Sequence, residues 1–340
     1  MNTRRNILLG LICLSFSSLV QTQAQAQQAP VIIKFSHVVA KDTPKGKAAD
    51  QFARLVNERG AGKIKVEVYP NSQLYKDGEE MNAIQMGAVQ MLAPSLAKFG
   101  PLGVKEFELF DLPFIFDDYA ALHRVTNGPL GAELFKKLEP KGITGLAYWD
   151  NGFKDFSANK LTKTPADFKG LKMRIQSSKV LESEMRALGV IPQVMAFSEV
   201  YQALQTGVVD GTENPPSNFY TQKMHEVQKY MVQSHHGYLG YAVIVNKKFW
   251  DGLPPDLRQI VVTAMEESTR YANAIAQKEN ADSTDAVKAS GKTQVVPLTP
   301  AERSELKKVL IKVHKEQEGR IGADLIKRVY KETGFDPNKL

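Results

Sequence analysis

Residues 170–176 read GLKMRIQ, and Arg174 is the residue in that run with recognition chemistry to offer. A guanidinium presents a planar fork of N–H donors that matches a carboxylate through two parallel charge-assisted hydrogen bonds. Four other polar residues sit where apolar runs end: Ser95 after MLAP, Asn214 after VVDGTE, His37 within FSHVV and Lys154 after WDNGF. In an open α/β sheet, strand ends face the crevice in which ligands collect. Each also has a plainer reading. Leu171, Met173 and Ile175 alternate with Lys172 and Arg174, so the two cations suit solvent as well as a site. Asn214 before Pro215-Pro216 suits a turn, Ser95 a cap, and His37 a satisfied core position. Phe153, Phe197 and Phe219 are core residues by default.

Catalytic signatures are missing. There is no G-x-S-x-G elbow, no P-loop and no G-x-G-x-x-G after a strand. The six histidines, His37, His123, His225, His235, His236 and His314, form no H-E-x-x-H spacing. His235-His236 points adjacent rings to opposite faces of a strand, a poor chelate, so no metal and no cofactor are expected. Among acid–base pairings, His37 with Glu213 is the one an enzyme acting on a carboxylate would use.

These residues need a scaffold. VIIKFSHVVA reads as a strand, and TPKGKAADQFARLVNERG as a helix with Ala48, Phe52, Leu55 and Val56 on one face. KIKVEVYP is again a strand, Glu79 to Met86 a short helix, and AVQMLAPS a third strand. This β-α-β-α-β order predicts a parallel, doubly wound sheet. From about residue 150 the pattern returns in kind, with strands at ITGLAYWDNGF, LKMRIQ, IPQVMAF and VVDGTENP. Helices lie between them, one closed by Gly189 and the next capped by Ser198 and ended by Gly207. YLGYAVIVNKKFW is β-rich, and Pro254 to Lys288 forms one helix of roughly 50 Å. The fold expected is α/β: two doubly wound domains with chain crossovers, a ligand cleft between them and a long helix spanning both. Domain I takes residues 27–151 plus about 240–279, and domain II residues 152–239 plus about 280–340. No repeat of 20–50 residues and no long Gly/Ser linker is visible.

Residues 1–26 have the arrangement of a secretory signal: Arg4-Arg5, an apolar run from Ile7 to Val20, and the small-x-small site Ala24-Gln25-Ala26. Cys13 is the only cysteine, so the exported chain would carry none and must be stabilised by its core alone. Cleavage lowers the formal charge from +7 to +5. Bases and acids are interspersed, without the aromatic-studded basic stripe of a nucleic-acid binder. The expected location is a Gram-negative periplasm.

The run GLKMRIQSSKVLESEMRALGVIPQVMAFSEVYQALQTGVVDGTENPPSNFYTQKMHEVQKY resembles the substrate-binding proteins of TRAP (tripartite ATP-independent periplasmic) transporters, of the C4-dicarboxylate-binding, DctP-like type. KFSHVVAKDTPKGKAADQFARLV, LPFIFDD, WDNGFKDFSANK and GYLGYAVIVNKKFWDGLP carry the likeness over nearly all of the exported chain. The resemblance implies a monomeric binding protein, not an enzyme, that closes on an organic acid. It would deliver the acid to the membrane subunits of a permease, DctQ-like and DctM-like. The Arg of G-x-K-x-R, here Arg174, would pair with the substrate carboxylate. The Phe of F-x-E-V-Y-x-A-L-Q-x-G, here Phe197, and the Asn of D-G-x-E-N, here Asn214, would border the ligand. Where many relatives carry a second Arg after W-x-N-G, this chain has Lys154. A second carboxylate would find its partner among Lys154, Lys45, Lys98 and His37. The ligand implied is a C4-dicarboxylate such as succinate, malate or fumarate. A 2-oxo, aromatic or sugar acid stands as the alternative, since Phe116, Phe153 and Phe197 would not forbid it.

Overall fold

The computed structural model describes residues 29–339. The expected export signal, with Cys13, lies outside the described residues. Nine strands build one mixed sheet. In chain order they are β1 (Val31–Ser36), β2 (Ile64–Tyr69), β3 (Met91–Leu92), β4 (Ile143–Ala158), β5 (Lys172–Ile175), β6 (Ile191–Val194), β7 (Gly211–Asn214), β8 (Tyr230–Asn246) and β9 (Gln294–Pro297).

The sheet runs β2-β1-β3-β8-β4-β7-β5-β6, with β9 added beside β8. β1, β2 and β3 are parallel and are joined by the helices Pro44–Arg59 and Glu80–Gln85. β5, β6 and β7 are likewise parallel, joined by the helices Lys179–Ala187 and Val200–Gln205. Parallel neighbours require such crossovers, and this is why apolar strands and amphipathic helices alternate along the sequence. Each trio is closed by one long antiparallel strand, β8 beside β3 and β4 beside β7. β4 and β8 also pair with each other, with register shifts at Gly145/Ala147, Asp150/Gly152 and Lys154/Phe156. Two doubly wound halves are thus hung on a shared pair of strands.

A short internal repeat underlies this arrangement. Ala83-Ile84-Gln85-Met86-Gly87-Ala88-Val89 and Ala203-Leu204-Gln205-Thr206-Gly207-Val208-Val209 hold matching places, each ending a crossover helix just before the third strand of its trio. Gly87 and Gly207 take φ of 75° and 73°, the left-handed conformation that terminates a helix. The repeat is only seven residues long, below the period that marks a repeat architecture. One expectation fails here. Ser198 does not cap the second of these helices, because the chain enters it through a 3-10 turn, Phe197–Glu199, with no side-chain cap.

The helix Pro255–Ser290 has 36 residues, about 54 Å of length. Its early turns pack on the helix Pro44–Arg59, with Arg59 paired to Glu267 at 2.7 Å. Further along, Asn280 accepts from the Ser217 N–H and donates to the Asn151 carbonyl, tying the helix to the other half. Farther still, Gly291 stops it at φ 66°. In the C-terminal stretch, Val313, Ile321, Leu325 and Val329 share one apolar cluster with Phe107, Phe110 and Leu122.

Candidate ligand-binding site

Between the two halves lies a cavity whose lining includes Lys45, Ser95, Lys98, Arg174, Phe197 and Asn214. A wider groove shares Asp77, Lys98, Arg174 and Gln176 with it and forms its outer approach.

The first half contributes Lys45 from the opening turn of the helix Pro44–Arg59. Thr43 caps that helix by accepting from the Gly46 N–H at 3.1 Å, and Pro44 follows at the position where a missing N–H costs nothing. Gly46 lets the turn close on the preceding loop. A Cβ there would stand 2.4 Å from the Lys41 carbonyl oxygen and 2.5 Å from that of Ala40. Gly46→Ala should therefore destabilise the fold by about 1–3 kcal/mol through overpacking and displace Lys45. Urea unfolding with an unchanged midpoint would show that the turn gives way freely. Ser95 stands just past β3 and Lys98 in the 3-10 turn Leu96–Phe99.

The second half contributes Arg174, buried at 2 % exposure rather than solvated. On β5, Lys172 faces water while Met173, Arg174 and Ile175 are all buried, since the sheet is covered on both faces. The Arg174 Nε and Nη2 both donate to the Met195 carbonyl, at 3.1 and 3.0 Å. That fixes one edge of the guanidinium and leaves the Nη1 edge with no protein acceptor among the described residues. Its carbon lies 5.6 Å from the Phe197 ring centroid. Asn214, at the end of β7, donates to the Thr212 hydroxyl at 3.3 Å.

Contacts join the halves across the cavity. Asp77 accepts from the Phe197 N–H, Ser95 donates to the Gln176 side chain, and Lys76 pairs with Glu199 at 3.0 Å. The last is exposed and worth little. Lys98 is clamped between Asp77 and Glu80. Burial works to raise the Asp77 pKa, but Lys98 and Arg174 outweigh it and hold the carboxyl at about 2. Burial would lower Lys98, yet Asp77 and Glu80 raise it, so it stays an ammonium. Glu80 is pushed up by burial. Lys45 is lowered by burial and by Lys98 to about 7.

Three expected residues do not line the cavity. Lys154 is fully buried in a different cluster, where it pairs with Glu213 at 2.5 Å. Gly237 opposite makes this possible, because a Cβ there would sit 2.7 Å from the lysine Cε. Lys154 is thus consumed by an internal anion. Phe153 packs edge-on against Tyr119, 5.2 Å between centroids, and lines a separate groove beside the long helix. His37 is buried in the wall next to Lys45, which with burial lowers its pKa to about 3. Glu213 pairs with Lys154 and His236, so the His37–Glu213 acid–base pairing is not formed. No group of three or more His, Cys, Asp or Glu side chains is arranged to hold a metal ion among the described residues.

Asp77, Gln176, Asn218 and Tyr241 also line the cavity and were not anticipated. Asp77 lies in YKDGEE, which reads as a turn, and Tyr241 in a strand whose apolar run hides its inward hydroxyl. The Tyr241 hydroxyl accepts from Asn151 at 2.7 Å, and Asn151 also donates to Asn218 at 2.9 Å. A polar residue on the inner face of a fully buried strand was the available signal.

Two doubly wound halves on either side of a cation-lined cavity define a ligand-capturing protein of the periplasmic binding class. Residues 35–320 match the family model DctP, the bacterial extracellular solute-binding proteins of family 7, and the chain belongs to that family. It is 63 % identical over 331 residues to the C4-dicarboxylate-binding periplasmic protein DctP of Rhodobacter capsulatus, covering 97 % of this chain and 98 % of that one. A TRAP periplasmic solute-binding protein of Shewanella oneidensis with bound succinate superposes with TM-score 0.88 at 43 % identity, over 90 % of this chain and 100 % of that one. One from Pseudomonas aeruginosa with bound L-malate gives 0.82 at 42 %, over 84 % and 100 %.

Proposed function

We propose that this protein captures a C4-dicarboxylate between its two halves in the periplasm and hands it, chemically unchanged, to a TRAP-type membrane permease. The observation that carries the reading is the cavity itself. A buried Arg174 presents an open guanidinium edge from one half while Lys45 and Lys98 face the same space from the other. Cations on both sides of that space suit an acid that is charged at each end. The identity to a C4-dicarboxylate-binding protein supports the same choice. Export through the signal read at residues 1–26, and closure of the half carrying β1–β3 on the half carrying β5–β7, belong to the proposal.

A thermal-shift screen against mono-, di- and 2-oxo acids tests it. A ligand at a thousand times its Kd adds roughly 4 kcal/mol, several degrees for a chain of this size. Succinate, malate or fumarate should give that shift, and butyrate should not. A shift with sugar acids alone would replace the ligand class.

A further inference from the structure

We infer that Lys45 is the residue that selects for a second carboxylate, and that binding a dicarboxylate draws a proton from the buffer onto its amine. The inference rests on the organic-acid reading above and goes on to assign the discriminating residue and a linkage to pH.

Three cations line the cavity, and they differ in what already neutralises them. Lys98 holds Asp77 and Glu80, so a ligand carboxylate brought to it would meet two anions as well. Arg174 is permanently charged and is the anchor for the first carboxylate. Lys45 is different. Its Nζ donates to the Ala93 carbonyl at 2.9 Å and stands 3.7 Å from the centre of the Tyr241 ring. No carboxylate lies within salt-bridge distance of it among the described residues, which leaves two of its three donors without an acceptor. An anion placed there would meet an amine with no counter-ion of its own, the arrangement that rewards a second carboxylate and penalises a methyl group.

The surroundings fix the sign of the linkage. Burial and the neighbouring Lys98 lower Lys45 to about 7, with Glu80 and Asp77 opposing more weakly. The remaining titratable groups facing it are His37, lowered to about 3, and Tyr241, raised to about 12, and both keep one form across neutral pH. A bound carboxylate stabilises the ammonium and raises its pKa. Binding near pH 7.5 therefore takes up a proton, and affinity falls as pH rises above about 7. Below that it is level until the acid's own carboxylates begin to protonate.

Calorimetric titration of the protein with succinate at pH 7.5, in buffers of different ionisation enthalpy, counts the proton. About half a proton or more per ligand is expected, and affinity should be roughly tenfold weaker at pH 8.5 than at 6.5. Lys45→Met should abolish the uptake and the pH dependence and bring succinate and butyrate within about tenfold of each other. Lys45→Arg should keep the preference without the proton, since guanidinium does not titrate. Succinate binding with no uptake and a level pH profile would overturn the inference while leaving the diacid reading intact. Uptake that persists in Lys45→Met would assign the proton to Glu80 and also overturn it. Failure of the wild-type protein to bind any diacid would remove both.

Discussion

Arg174→Ala raises the Kd for succinate a hundredfold or more while the protein stays folded; this is the largest binding effect expected of any single substitution. Desolvation sets the scale of the effect. A carboxylate entering the cavity between the halves gives up its water, and only a charge of opposite sign with well-aligned donors makes up the loss. Arg174 is held ready for that task by the Met195 carbonyl and the Phe197 ring, so little side-chain entropy remains to be lost on binding. Removing one partner of a buried ion pair costs about 3–5 kcal/mol, which corresponds to at least a hundredfold in Kd. The fold loses less. Asp77 keeps Lys98, and water entering the emptied space replaces the donors that the Met195 carbonyl loses. Arg174→Lys should fall between the two, keeping the charge but not the fork. Calorimetric titration checks the series. An Arg174→Ala protein that binds succinate with near-normal affinity would take Arg174 out of the site.

Arg174 was legible in sequence because two local signals coincide on it: a cation on an alternating strand, and the G-x-K-x-R motif. The crossovers were legible for a similar reason, since strand and helix periods alternate at short spacing and a parallel sheet follows. Lys154 stands away from the cavity for a reason that is not local. Beside the aromatic WDNGF turn it looks like a ligand cation, but its place is decided by Glu213 on β7 and by the missing side chain of Gly237 on β8. Neither is near it in the chain, and both arrive only when the sheet forms. The division of labour between Lys45 and Lys98 was invisible for the same reason. It depends on Asp77 and Glu80, which read as part of an acidic turn and as a residue inside the short helix expected from Glu79 to Met86. What the sequence concealed is thus pairing across elements.

The same pairing makes Lys154→Ala the most damaging change expected for stability. Lys154 lies among Glu213, Glu184 and Asp111, all buried, with His236 3.3 Å from Glu213 and 3.4 Å from Glu184. Burial raises Glu184 well above the usual carboxylate range and Asp111 to about 7. Burial acts on Glu213 too, yet Lys154 and His236 outweigh it, so Glu213 is lowered and stays ionised. One lysine therefore sets the charge of the cluster. Without it, Glu213 is a buried anion beside a histidine held near 4, and the cost is about 3–5 kcal/mol, on the order of 5–10 °C in Tm. The pH dependence follows. In the native protein the stability that Glu213 contributes is present above its unfolded pKa and is lost as pH falls through its lower folded value. In Lys154→Ala the folded pKa of Glu213 rises, the folded state binds the extra proton, and the deficit should be smaller at pH 5.5 than at pH 8. Replacing the pair together, Lys154→Met with Glu213→Gln, should recover much of the loss, because no unpaired charge remains. Thermal unfolding of the single and double variants at both pH values measures this. If Lys154 is a structural counter-ion, the folded fraction of Lys154→Ala should bind succinate within about tenfold of the native Kd, far from the hundredfold expected of a lost ligand cation. A loss as large as that of Arg174→Ala, at unchanged Tm, would return Lys154 to the ligand and undo the assignment of that role to Lys45.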